Sequence, residues 1–209
     1  NINQLTSEQR TGFGGYTDTH SYDGAGNRTL SVQGTTRQTF TFDAANQLVT
    51  MISGSTVTTY TYDNAGNLQV ENVAGVRTTN TWDDEQRLTQ VAKVGTTTNL
   101  YTFNGDGQRV KIVDSAGTKQ QLWDGQNILV ETDGAGAAQA VYTYQPAGYG
   151  QILSQRRSTT SSYYHFDGQG STLLLTDSAQ ATLNSYLYKA FGDSFLATGG
   201  TTNVFRYIG

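Results

Sequence analysis

The stretch "YDGAGNRTL", residues 22–30, is written again as "FDAANQLVT" at 42–50 and as "YDNAGNLQV" at 62–70. A catalytic loop is needed once. A segment repeated every twenty residues is a building unit, and its period decides the architecture. The aromatic residue that opens each copy can be followed along the chain as Tyr22, Phe42, Tyr62, Trp82, Phe103, Trp123, Tyr144, Phe166 and Tyr188. The spacing is 20 or 21 residues up to Tyr144 and 22 beyond it, so the C-terminal part is a specialised end.

The local chemistry of one unit predicts a β-hairpin. Phe40 and Phe42 are two residues apart and share one face of a strand, while Thr39 and Thr41 share the other. The pattern returns as Tyr60/Tyr62, Tyr101/Phe103, Tyr142/Tyr144, Tyr164/Phe166 and Tyr186/Tyr188. A helix would need spacings of three or four. Asp23, Asp43, Asp63, Asp83, Asp124 and Asp167 follow their aromatics and open turns, because a carboxylate accepts hydrogen bonds from the backbone just ahead of it. The closing Gly26 and Gly66 suit a type I turn followed by a bulge. A second strand then begins on Leu48, Leu68 or Leu88, and a second glycine turn (Gly34, Gly54, Gly75, Gly95, Gly117) closes the unit. The expected fold is all-β: tandem hairpins of about 20 residues that form one long antiparallel sheet, which curls into a shell wall or tube. Equivalent aromatics fall two strands apart, about 9.6 Å, with a leucine able to fit between them. The aromatic column is the expected core, and the threonine column (Thr41, Thr61, Thr81, Thr102, Thr143) is expected to face outward.

Composition agrees. Charged residues make up 14% of the 209 residues, and there are 24 Gly, 13 Tyr and 8 Phe against one Pro. The formal net charge of −4 carries no broad basic footprint for nucleic acid. No apolar run approaches the roughly 18 residues of a membrane span. The absence of cysteine removes disulfides and thiolate metal sites. The chain opens on Asn1 rather than Met, which is expected of a processed form or a slice of a longer polypeptide.

No catalytic, cofactor or metal site is expected. The stretch "HFDGQGS" holds His165, Asp167 and Ser171, but Asp167 and His165 share a strand face and no Gly-x-Ser-x-Gly elbow exists. The aspartate column lacks the glycine pattern of stacked calcium repeats, so turn capping is the simpler reading. His20 occupies the slot of Phe40 and Tyr60 and is read as a variant of that position. Asn27, in Asn27-Arg28-Thr29, is a candidate glycosylation site.

The units resemble the bacterial Rhs or YD repeat, whose core pattern is Tyr-Asp, two variable residues, Gly, Arg or Asn, then Leu. "YDGAGNRTL" and "YDNAGNLQV" match it directly, and "FDAANQLVT", "WDDEQRLTQ" and "FNGDGQRVK" match with substitutions. Residues 163–194 resemble the start of the Rhs-associated core, and "NVFRYIG" at 203–209 resembles its next landmark. The chain departs from that pattern at Gln169, Gln180 and Lys189-Ala190. It holds no Asp-Pro-x-Gly motif, so no residue takes the family's self-cleaving aspartate role. The resemblance divides the chain into a lead-in at 1–12 that continues a preceding repeat, regular repeats at 13–140 and divergent repeats at 141–209.

The resemblance implies a non-enzymatic wall segment of a secreted or cell-surface shell, enclosing a toxin in the parent chain. The strip is too small to do so alone. About 18 strands at about 4.8 Å make roughly 85 Å of wall and a ring about 27 Å across. A compact 100-residue domain is about 33 Å wide. Expected partners are therefore further repeats of the parent chain or copies of the chain itself, joined through open sheet edges, with an enclosed toxin or surface glycans beyond them. The alternatives are a self-assembling, glycosylated extracellular fibre or adhesin, and a glycan-binding module using exposed aromatics.

Overall fold

The computed structural model describes residues 3–12, 14–146 and 151–207. Among these there is no helix, and nineteen strands belong to one antiparallel sheet. The chain divides into two compact units, Asn1–Leu100 and Tyr101–Gly209. The first holds β1 (Ser7–Arg10), β2 (Tyr16–Tyr22), β3 (Arg28–Gln33), β4 (Thr36–Phe42), β5 (Leu48–Ser53), β6 (Thr56–Tyr62), β7 (Leu68–Val73), β8 (Val76–Trp82), β9 (Leu88–Lys93) and the start of β10 (Asn99–Phe103). The second holds β11 (Arg109–Asp114), β12 (Gly117–Asp124), β13 (Asn127–Asp133), β14 (Ala138–Tyr144), β15 (Ile152–Arg157), β16 (Thr160–Phe166), β17 (Thr172–Thr176), β18 (Thr182–Tyr188) and β19 (Ser194–Thr198).

Register in the first unit follows the repeat. Phe42 pairs with Leu48, Tyr62 with Leu68 and Trp82 with Leu88, each just after a β-bulge. The bulge arises because the turn between them inserts five residues. In Asp63–Asn67 the Gly66 amide donates to the Asp63 carbonyl at 3.0 Å, and the Asp63 amide donates to the Asn67 carbonyl at 2.9 Å. The fourth turn residue needs a positive φ, which glycine adopts freely. Gly26 (95°) and Gly66 (87°) meet that need, but Asn46 (60°), Gln86 (59°) and Gln180 (67°) hold the same slot with a side chain. For Gln86 the left-handed backbone costs about 1 kcal/mol. Gln86→Gly is therefore expected to raise the thermal midpoint by about 2–4 °C in a circular dichroism melt.

The second turn of each repeat is shorter. Val73 pairs directly with Val76, and Ala74 (φ 49°) and Gly75 (φ 92°) between them form the two-residue turn with both φ positive that matches strand twist. In the second unit this alternation of long and short turns breaks. Long turns open at Asp167, Asp177 and Lys189, joining β16 to β17, β17 to β18 and β18 to β19 in succession. The two long turns between Phe166 and Tyr188 account for the widened spacing of that last pair of aromatics.

The core differs from the expected one. All nine marker aromatics are half-buried, whereas Tyr142, Tyr164 and Tyr186, two residues earlier on their strands, are buried. A single sheet layer offers a ring only its cross-strand neighbours; full burial needs a second layer. In the first unit Val70 is the only buried apolar residue among those described, and the other buried positions are polar: Asp18, His20, Ser31 and Thr58. The expected column Thr41, Thr61, Thr81, Thr102 and Thr143 is exposed throughout.

Candidate functional site

Four of the marker rings clamp one repeat to the one before. Tyr62 donates its hydroxyl to the Leu48 carbonyl at 2.9 Å, Trp82 donates its indole N–H to the Leu68 carbonyl at 2.9 Å, and Trp123 donates to the Arg109 carbonyl at 3.0 Å. Tyr22 donates to the Leu5 carbonyl at 2.8 Å. Burial pushes the Tyr62 hydroxyl above its ordinary range, with the Asp43 carboxylate acting in the same direction. Phe42, Phe103 and Phe166 have no polar tip to donate such a bond.

The aspartates cap the turns from one oxygen. Oδ1 of Asp23 accepts the amides of Ala25 and Asn27, that of Asp43 those of Ala45 and Gln47, and that of Asp63 those of Ala65 and Asn67. Asp83 and Asp167 do the same with Glu85/Arg87 and Gln169/Ser171. Asp124 differs: it ends β12 and pairs with Asn127 across the two-residue link Gly125-Gln126. Three further residues take the capping role, Asn104, Asp133 and Asp177. Asp133-Gly134-Ala135-Gly136 repeats Asp23-Gly24-Ala25-Gly26 letter for letter, but Thr132 stands where the aromatic anchor would be.

The side-chain amides of Asn27 and Asn67 hold the Asp23 and Asp63 carboxyls below the usual range, as the Arg87 backbone amide and guanidinium hold that of Asp83. Depressed folded-state values mean that these contacts stabilise the fold above the ordinary value of 3.8 and are lost as pH falls through the folded values. Thermal stability is expected to be flat near neutrality and to fall below about pH 4. Asp63→Asn should keep its turn, since Asn104 caps with the same geometry, and should lose the Asp63 share of that acid sensitivity in melts taken from pH 7 to 3.

Asn27 donates Nδ2 to Asp23 Oδ2 at 3.0 Å and to Asn46 Oδ1 at 2.9 Å, so a glycan on that nitrogen would displace a contact. The His165 ring is 3.0 Å from the Thr176 hydroxyl, Asp167 is engaged with its turn, and Ser171 Oγ is buried without a partner. They form no nucleophile–base pair. Among the described residues no group of three or more His, Asp or Glu side chains could hold a metal ion.

The most elaborate polar arrangement lies in the second unit, where the chain after β19 returns as a strap over the sheet. Alternation in 203–207 turns Asn203, Phe205 and Tyr207 inward and leaves Val204 and Arg206 exposed. The Phe205 ring meets Tyr142 edge-on at 5.1 Å and Tyr164 at 6.3 Å, and Tyr207 lies 5.3 Å from Tyr188. With Ala140, Tyr142, Ile152, Tyr164 and Leu175 beneath, Phe205 completes an apolar cluster.

The buried polar residues of the sheet receive the strap's backbone. Gln155 Nε2 donates to the Thr202 carbonyl at 2.6 Å, and Asn184 Nδ2 donates to the Thr201 carbonyl at 3.0 Å. Asn184 Oδ1 accepts the Thr201 amide at 3.2 Å. Thr172 donates its hydroxyl to the Phe205 carbonyl and its amide to the Arg206 carbonyl, both at 2.8 Å. The Tyr164 hydroxyl donates to Asn203 Oδ1 at 3.0 Å. Buried polar groups require such partners, which is why Gln155, Thr172 and Asn184 can stand in an apolar face. Nearby, Tyr142 donates to Glu131 at 2.9 Å and accepts from Arg157 at 2.8 Å. Burial pushes the Tyr142 hydroxyl far above its ordinary range, Glu131 adds to the rise and Arg157 opposes it.

The repeated sequence also has a match among known families. Residues 42–77, two marker rings with their turns, match the family model RHS Repeat. This stretch is an RHS repeat. Among curated proteins, the chain is 30% identical over 132 residues to the tRNA3(Ser)-specific nuclease WapA of Bacillus spizizenii. It is 28% identical over 132 residues to the tRNA nuclease WapA of Bacillus subtilis. Each match covers 60% of this chain and 6% of the relative's length. Among solved structures, a Photorhabdus luminescens Tc holotoxin pore aligns with 92% of this chain and 14% of its own, at 14% identity and a TM-score of 0.45. TcdB2-TccC3 without its hypervariable C-terminal region aligns with the same coverage, identity and score.

Proposed function

We propose that this RHS-repeat chain is a non-enzymatic wall segment of a larger secreted or cell-surface shell. The observation that carries the reading is the hand-over between repeats. Each Tyr or Trp clamp uses a carbonyl of the preceding repeat, so the sheet grows by adding repeats and needs no new kind of contact. The Tyr22–Leu5 bond places Leu5 where Leu48 and Leu68 serve later clamps, which supports residues 1–12 as the tail of a preceding repeat. Residues 13–140 are then plain wall, and 141–209 are the divergent end, in keeping with the strap found there. In WapA the matching segment is a small share of a nuclease; by analogy, the toxic activity of this chain's parent lies outside the segment and is enclosed by the wall.

Purified 1–209 is expected to sediment as discrete particles, to appear as short compact objects in negative stain, and to leave tRNA uncut. Micrometre-long filaments would overturn the wall reading in favour of a self-assembling fibre, and tRNA cleavage would overturn the non-enzymatic one.

A further inference from the structure

Beside the strap, within the second unit, is a hollow of about 490 Å³. Four half-buried rings line it: Trp123, Tyr144, Phe166 and Phe205. Sequence position alone does not group them, since they come from β12, β14, β16 and the strap. The polar part of the lining is amide: Gln126, Gln145 and Gln151 are exposed there, and their side chains make no hydrogen bond among the described residues. No charged side chain belongs to the described lining.

We propose that this hollow binds a neutral sugar ring, the terminal one or two residues of a glycan. The volume lies in the range of about 300–1,000 Å³ typical of small-ligand sites. Aromatic faces carry negative charge density and attract the slightly positive C–H face of a pyranose. Primary amides donate and accept at once, as hydroxyl groups do, so three free amides match a polyhydroxylated rim. Phosphate or carboxylate groups would enter without a counter-charge and lose their hydration. An aliphatic guest would take water from the amides and return no hydrogen bond. The site is independent of the wall reading, because it needs only the second unit's own strands and strap.

The test is calorimetric titration of the whole chain with maltose, cellobiose and N,N′-diacetylchitobiose, with tryptophan emission followed in parallel. At least one disaccharide should bind saturably with a dissociation constant below about 1 mM. The double variant Gln145→Ala/Gln151→Ala changes only exposed side chains; it should weaken binding about tenfold while leaving the circular dichroism spectrum and melt unchanged. Phe166→Leu should also weaken it by removing a stacking face. Absence of saturable binding by all three sugars up to about 10 mM would overturn the proposal. Binding left unchanged by the double variant would overturn it equally, since the sugar would then sit elsewhere.

Discussion

Replacing Gly199 by alanine should destabilise the second unit by about 3–5 kcal/mol. Gly199 is where the chain leaves β19 and turns back as the strap, at φ +90°. A methyl group there would run into the Leu183 carbonyl and come within 2.8 Å of the Asn184 Cα. Both obstacles are backbone, held in β18, and cannot swing aside as a side-chain tip could. The disfavoured φ costs about 1–3 kcal/mol for a residue with a Cβ, and the overlap adds a similar amount. Relief can come only by moving the strap, which would draw Thr201 off Asn184 and Phe205 out of its cluster. Chemical denaturation followed by aromatic circular dichroism measures the loss. Gly200→Ala is the control: nothing lies within 4 Å of its Cβ position and its φ is not positive, so it should fall within about 0.5 kcal/mol of the parent. Equal behaviour of the two variants would mean that the strap does not take this path.

Leu175→Ala should cost about 3–4 kcal/mol and lower the melting midpoint by about 10 °C. Leu175 is fully buried on β17, paired with Tyr164 and Asn184, and part of the cluster closed by Phe205. Removing its branched end leaves a void that the sheet on one side and the strap on the other cannot both close. Leu48→Ala makes the same chemical change at a half-buried position on β5, where solvent can take up the space, and should cost only about 1 kcal/mol. The contrast measures where the core is. A larger loss at Leu48 than at Leu175 would restore the even, repeat-wide core expected from the aromatic column.

How much of this could be read in advance varies from residue to residue. The hairpin period, the Asp caps and the left-handed turn slot are local. They depend on residues within five positions of one another, and a repeated local rule is visible as a repeated word. Asn104 and Asp133 fall outside the aromatic–Asp word: one is not Asp and the other follows Thr132 rather than a ring. Yet both cap, because capping needs an acceptor oxygen at that position and is indifferent to the ring before it. Asp124 follows a ring as the other caps do, but the two-residue link Gly125-Gln126 leaves it no five-residue turn to close.

Strand alternation, turn geometry and the order of pairing were thus determined by the sequence, since each is settled by near neighbours and a period of two. Which rings become core was decided by the tertiary structure. Tyr142, Tyr164 and Tyr186 look no different in the string from Phe40 and Tyr60; they are buried because a distant segment of the chain, centred on Phe205, lies across them. The same return of chain turned Gln155, Thr172 and Asn184 from unremarkable polar residues into receptors for a backbone. Burial is a property of a second layer, and no local pattern states where a second layer will come from.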